Sequence, residues 1–347
     1  MKRALLGFLL AILCYSAHAQ DPHFSQFTAV PSRLSPALGG VYEGSFRFAA
    51  VYRNQWSSVL GGNAFNTAAA SFDYRFFGAR NDYFSAGIAV MSDRAGEVQL
   101  AQNQVHVNFS YMKQLTGNPR LGFAQYLVAG VQAGIGQQTL NFGDARWSLQ
   151  FDGDAFNPTL PTGENFGENS NSYLDFNAGL LWYGLFGDRR SMYFGGTIHH
   201  INQPDVSFAG GDISEPLFTR FGFHGGGELP LGDQLSVLPA FLAMKQGPSI
   251  EFMAGGNFRL LRGNDYGDVA IRAGLWGRVV GKTGEFLGTD AAIVSFGLEY
   301  LSWTLQGSYD INTSTLENAS DNRGAFEVTL IYVSPPKRRG ELVCPKF

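Results

Sequence analysis

VHVNFSY, residues 105–111, alternates without a fault: Val105, Val107, Phe109 and Tyr111 fall on one side, His106, Asn108 and Ser110 on the other. Successive side chains of an extended chain point to opposite faces, so the stretch reads as a strand with one apolar face and one polar or small face. The pattern recurs. Trp303, Leu305, Gly307, Tyr309 and Ile311 interleave with Ser302, Thr304, Gln306, Ser308 and Asp310, and Phe72–Phe76, Ile250–Phe252 and Phe326–Leu330 alternate likewise. Most of the chain from Phe46 to Val333 follows this period. Two architectures present such strands: a soluble sandwich, and a membrane barrel with apolar residues outward and polar ones toward the lumen.

Strand length and loop parity favour the barrel. Strand-like runs lie near 46–53, 66–76, 83–92, 103–113, 121–137, 172–186, 191–201, 217–228, 235–244, 250–261, 269–280, 291–300, 303–312 and 325–333. Most are near the ~9–11 residues that a tilted membrane strand requires. The expected fold is therefore all-β, a transmembrane antiparallel β-barrel of about 14 strands, with 12–16 inside the same reading. If the chain starts on the periplasmic side, odd connections should be long extracellular loops and even ones tight turns. Segments 54–65, 93–102, 138–171, 202–216, 281–290 and 313–324 are long, whereas 77–82, 114–120, 187–190 and 230–234 are short. Lys245 to Ser249 breaks the rule by being short, and the hairpin at Leu301-Ser302 lacks turn residues.

The amino end reads as an export signal. Lys2 and Arg3 precede an apolar run from Ala4 to Ile12, and Ala17-His18-Ala19 has the small-x-small pattern of a cleavage site. Leu13 before Cys14 does not suit lipid attachment. Residues 1–19 are thus expected to be removed, 20–45 to form a leader or plug-like segment, 46–333 the barrel, and 334–347 a tail. Losing Lys2 and Arg3 turns 25 basic against 29 acidic residues into 23 against 29, a charge of −6 that offers nothing to nucleic acid. One cysteine of two remains, which excludes an intrachain disulfide framework.

Polar faces carry Arg47, Arg53, Asp73, Arg75, Arg220, Glu251, Arg259, Arg272, Arg278, Glu299, Asp310 and Glu327. The plain expectation is that these charges pair to fill the interior; a selectivity filter is the sharper one. Eight-stranded barrels fill with side chains and barrels of 16 to 18 strands leave channels, so one of about fourteen needs a plug or a passenger. Catalysis is not expected: no Gly-x-Ser-x-Gly, His-Glu-x-x-His or phosphate loop occurs. Adjacent His199 and His200 should face opposite sides of a strand. FDGDAFNP, from Phe151, spaces two Asp residues as a calcium loop does but lacks the closing Glu. No cofactor or metal is expected.

Three motifs remain. Asp21-Pro22-His23-Phe24-Ser25-Gln26-Phe27 opens the mature chain, Tyr52-Arg53-Asn54-Gln55-Trp56 follows after Pro31 and Pro36, and Cys344-Pro345-Lys346-Phe347 ends it. Together they resemble the PorP/SprF family, outer-membrane proteins of the type IX secretion and gliding machinery of Bacteroidota. Val30 and Ser35 stand where that family usually has Asn before each proline. The resemblance implies outer-membrane location, with membrane lipid, type IX secretion components and a secreted surface protein or adhesin as partners. It makes Asp21, Pro22, Phe24, Ser25, Gln26, Tyr52, Arg53, Asn54, Gln55, Trp56, Cys344 and Pro345 candidate partner contacts. Phe142, Trp147, Phe151, Phe156 and Phe166, in the long loop, are candidates for an extracellular partner surface, since exposed aromatics among adaptable polar residues suit protein recognition. The leader is expected either to line the lumen or to dock secretion components from the periplasm. The alternative function is a passive channel for small or hydrophobic solutes.

Overall fold

A strand that is apolar on one face and polar on the other cannot leave its edges unpaired inside a membrane, and closure into a barrel is the solution that satisfies every backbone group. The computed structural model describes residues 21–77, 82–118, 122–163, 169–187, 189–209, 213–264, 267–282, 287–315 and 317–335. Its strands are β1 (Phe46–Gln55), β2 (Phe65–Phe77), β3 (Tyr83–Ala95), β4 (Leu100–Asn118), β5 (Phe123–Thr139), β6 (Ser170–Phe186) and β7 (Ser191–His199). They continue as β8 (Arg220–Pro230), β9 (Leu235–Gln246), β10 (Ser249–Asn264), β11 (Gly267–Lys282), β12 (Gly288–Tyr300), β13 (Trp303–Asn312) and β14 (Arg323–Val333). Each pairs antiparallel with its sequence neighbours, and β1 closes on β14 with Arg53 opposite Glu327. The barrel has fourteen strands.

Both irregular connections turn out to be tight hairpins. Gln246 pairs with Ser249 across Gly247 and Pro248, and Gly247 takes φ +56°. Tyr300 pairs with Trp303 across Leu301 and Ser302, with Leu301 at φ +53° despite its side chain. A two-residue hairpin imposes left-handed backbone on its loop. The run read near 217–228 begins instead at Arg220, because Pro216 bridges Asp205 and Leu217 donates to the Pro204 carbonyl.

The faces fall as the alternation requires. Val107 is 61% exposed on the outer wall, together with Val105, Phe109, Leu305 and Tyr309, whereas Asn108 is fully buried inside. Arginine at Val107 is expected to cost about 2–4 kcal/mol if the site lies near the bilayer midplane. Urea unfolding in lipid vesicles measures this; an unchanged midpoint would place Val107 away from the lipid. Sequence alone suggests that Arg at inward Asn108 should cost much less than Arg at Val107. The structure adds a steric term to that expectation: a Cβ at leader residue Gly39 would stand 2.0 Å from Asn108 Nδ2, so an arginine there would have to displace the leader.

The leader is what fills it. Asp21 accepts from His200 and Arg220 at the barrel end that carries the long loops, and its backbone N–H donates to Gln246 Oε1. The chain then crosses the lumen to the short-turn end, where Tyr42 donates to the Asp73 carbonyl and Ser45 leads into β1. Pro31–Leu34 make one helical turn and Pro36–Gly40 a 3₁₀ turn, with prolines at the starts where no donor is missed. Ser35 caps the second turn, its Oγ accepting from the Ala37 N–H. Leu34, Ala37, Leu38 and Val41 pack on Tyr126, Val128, Leu181 and Tyr183 of the wall, so the hydrophobic core of this barrel is inside it.

Candidate functional site

Two groups of buried polar side chains hold the leader, and each begins with a short motif noted in the sequence. At the first, the Ser25 and Gln26 backbone N–H groups donate to the two carboxylate oxygens of Glu327, at 2.6 and 2.8 Å. Ser25 Oγ donates to Asp310 at 2.7 Å and accepts from Arg53 at 2.8 Å and Arg278 at 2.9 Å. Arg53 also pairs with Glu327 at 2.5 Å and Asp310 at 3.1 Å, while Arg278 reaches Asp310 at 2.9 Å and Asp290 at 2.5 Å. β1, β11, β12, β13, β14 and the leader thus meet at one cluster of alternating charge. Buried charges persist when paired and hydrogen-bonded, which is the condition met here.

The second group is a chain. His106 Nε2 and His200 Nδ1 each lie within 2.9 Å of a different oxygen of Asp175, and His200 Nε2 lies 2.7 Å from Asp21 Oδ2. Arg220 completes it at 2.8 Å from the same Asp21 oxygen. The expectation that His199 and His200 face opposite ways fails: both are buried inside. β7 ends at His199 and His200 takes φ +56°, which swings its ring back into the lumen. Burial works against a charged His200 ring, but the carboxylates of Asp21 and Asp175 outweigh it and raise its pKa to about 9. Burial also opposes the Asp21 carboxylate, yet His200 and Arg220 hold it well below the usual carboxylate range.

These shifts fix a pH dependence. A raised histidine pKa contributes stability that is complete below 6.5 and is lost as pH rises through about 9. A depressed carboxylate contributes above 3.8 and loses it in acid, so the Asp21–His200 pair contributes most between 3.8 and 6.5. The melting temperature in detergent is expected to fall from pH 6.5 to 9.5, and the fall to shrink in His200→Gln. Identical slopes in the two proteins would mean that this pair does not titrate with unfolding.

The other motif residues divide by face. Tyr52 and Asn54 point outward and both bond Asn66 Oδ1, whereas Gln55 accepts from Arg53 inside. Trp56 directly follows β1 at φ +59° with its ring 5.4 Å from Phe65. Pro22 and Phe24 line a cavity of about 50 Å³ with His199, Arg220, Leu242 and Met244. Of the loop aromatics, Phe142, Trp147 and Phe156 line a cleft of about 590 Å³ with Asn63, Gln99 and Arg146, and the Arg146 guanidinium sits 5.5 Å over the Phe156 ring. Phe151 is exposed and bridges to Phe156. Phe166, Cys344 and Pro345 lie outside the described residues. Asp152 is occupied by its own loop, accepting from the Asp154 and Ala155 N–H groups, and no metal-binding cluster occurs among the described residues.

The family model described as type IX secretion system membrane protein PorP/SprF matches residues 16–332, from the leader to the last strand. The chain belongs to the PorP/SprF family. Among solved structures it is similar to a mutant of the TodX monoaromatic hydrocarbon channel, at 12% identity and TM-score 0.51, covering 86% of this chain and 92% of that one. BamA from Haemophilus ducreyi lacking POTRA domains 1–3 aligns at 9% identity and TM-score 0.42, over 84% of this chain and 70% of that one. The TodX likeness establishes a shared barrel fold. A search of curated proteins found no match. In this PorP/SprF chain the amino-terminal motif and the first-strand motif are two halves of one buried cluster, joined through Ser25 and Arg53. His106, Asp175, Arg278 and Asp290 escape sequence reading as site residues; their one signal is position on the polar face of a strand.

Proposed function

We propose that this PorP/SprF protein lies in the outer membrane with its long loops outside the cell, and that it supports type IX export by holding secreted surface proteins, adhesins among them, at the surface. It acts by binding, without catalysis. The observation that carries this reading is the cleft of about 590 Å³ at the long-loop end, walled by Phe142, Arg146, Trp147 and Phe156 above a lumen closed by its own leader. Aromatics and arginine beside adaptable amides are the composition of protein-binding surfaces. The leader was one expected periplasmic docking strip; with Asp21, Ser25 and Gln26 buried inside the barrel, it serves here as the platform under the loops.

Deleting residues 142–166 tests the proposal. Heat-modifiable gel migration is expected to stay normal while one surface protein appears in the medium. A passive channel for hydrophobic or small polar solutes is the second reading, favoured by the hydrocarbon-channel name of TodX and opposed by the packed lumen. If cells lacking the whole protein retain every secreted and surface protein but lose permeability to a solute, the channel reading replaces the one proposed.

A further inference from the structure

The hydrogen-bond ladder is interrupted between β8 and β9, although the register is kept across the gap. Their ladder runs from Arg220 opposite Gln246 to Gly226 opposite Ala240, and resumes only at Leu229 opposite Val237. Pro239 falls in the gap, and proline has no N–H to give a ladder. On its other side β8 lies hard against β7: a Cβ at Gly227 would stand 2.1 Å from the Ser191 carbonyl oxygen. The interruption leaves a groove of about 240 Å³ on the outer wall, lined by Met192, Phe194, Gly227, Leu229, Pro239 and Phe241. Gly226 and Ala240, whose positions face the lumen, also line it, so the groove cuts into the wall. Phe194 and Phe241, 6.4 Å apart, stand over Gly225 as its rim.

The surroundings fix the occupant. The groove belongs to the apolar band that faces the membrane, so acyl chains are what reaches it, and water gains nothing there. An empty groove would forfeit dispersion contacts along its whole lining. At about 30 Å³ per water-sized group, it has room for about eight such groups, part of one acyl chain. It also lies at the short-turn end. Ser191 at its edge directly follows Arg189 and Arg190 in the turn between β6 and β7, and Arg190 is exposed. Arg189 Nη2 donates to the Gly232 carbonyl in the turn between β8 and β9, which fixes that guanidinium beside the groove's mouth, while its Nη1 is buried with no hydrogen-bond partner among the described residues. Asp233 in the second turn is exposed, and Asp188 directly precedes Arg189 in the sequence.

We propose that the β8–β9 groove is a binding site for one membrane phospholipid, with an acyl chain in the groove and the phosphate at Arg189 and Arg190. The leaflet, periplasmic, rests on the orientation proposed above; the site itself rests only on the barrel. Burial in the groove gains no hydrophobic energy over the bilayer, since lipid tails are as apolar as the lining. Specificity therefore comes from packing under the Phe194 and Phe241 rim and from the charge-assisted phosphate contact.

Native mass spectrometry of the detergent-extracted barrel, titrated with phosphatidylglycerol in mixed micelles, tests this. The wild type is expected to retain one phosphatidylglycerol per barrel. Met192→Trp with Leu229→Trp fills the groove and should weaken retention about tenfold, equivalent to about 1.4 kcal/mol. Phe296→Trp, on the lipid face of β12, should leave it unchanged. Arg189→Gln with Arg190→Gln should weaken phosphatidylglycerol toward the level of diacylglycerol, which has no phosphate. Heat-modifiable migration verifies that each variant is assembled. Equal retention by the wild type and the filled variant would overturn the proposal, as would the absence of any retained phospholipid from the wild type. Equal binding of diacylglycerol and phosphatidylglycerol by the wild type would overturn the phosphate contact. Loss of surface-protein attachment is not the readout, so the outcome is separable from the function proposed above.

Discussion

Replacing Arg53 by methionine should destabilise the barrel by about 3–5 kcal/mol, the usual cost of removing one partner from a buried ion pair. Methionine keeps length and apolar bulk, so the loss is electrostatic. Glu327, fully buried, would keep only the Ser25 and Gln26 N–H groups, and Asp310 would keep Arg278 and the Ser25 hydroxyl. Pairing β1 with β14 makes this cluster the inner face of the closing seam. Urea unfolding in lipid vesicles gives the value. Arg53→Met with Glu327→Leu should recover part of the loss, because it leaves no stranded charge, but not all of it, because the buried Ser25 and Gln26 N–H groups lose their acceptor. A single-variant cost under about 1 kcal/mol, the range of exposed ion pairs, would show that water reaches the cluster and that the leader does not seal it.

The second large effect concerns the plug. Gly130 on β5 faces the lumen, and a Cβ there would stand 2.3 Å from the Pro36 carbonyl carbon and 2.4 Å from the Ala37 nitrogen. Those are leader backbone atoms, which cannot swing aside as a side chain can. Gly130→Val should therefore displace the Pro36–Gly40 turn while leaving the outer wall and the β4–β5–β6 ladders unaltered. In planar bilayers the wild type should show little or no steady conductance and the variant a clear open channel. Gly136→Ala, near the long-loop end of the same strand, has the Tyr173 side chain, not leader backbone, as its nearest neighbour and serves as the comparison. A variant as closed as the wild type would mean that the leader has room to yield in place.

The barrel was legible because one physical rule, two faces with two solvents, is written into nearly every strand. VHVNFSY shows it in seven residues, and the interruption of loop parity at Gly247-Pro248 did not hide it. The site was less legible. Ser25 and Arg53 belong to recognisable motifs, but nothing local says that they touch, since their meeting depends on a leader folding into a lumen that exists only after closure. His200 shows the limit most clearly. Strand periodicity points its ring outward, and a single left-handed residue turns it in. The β8–β9 groove was hidden for another reason: Gly225, Gly227 and Pro239 read as weak strand residues, and only the register shows where the ladder stops.

The bonds from the Ser25 and Gln26 backbone to Glu327 span about three hundred residues. A nascent chain delivers the leader first and β14 last, so the first acceptor for those two amides is also the final piece to arrive. Loop-closure entropy must be met before so distant a contact can form, which makes it a late event in folding. Sealing the seam and seating the plug then become a single step. A chain truncated before β14 would keep the Asp310 carboxylate between Arg53 and Ser25 but lose that of Glu327, leaving the Ser25 and Gln26 amides without their acceptor and the barrel with open edges. In this protein one carboxylate, that of Glu327, serves both the closing seam and the seat of the amino-terminal leader, so that losing it would loosen the two together.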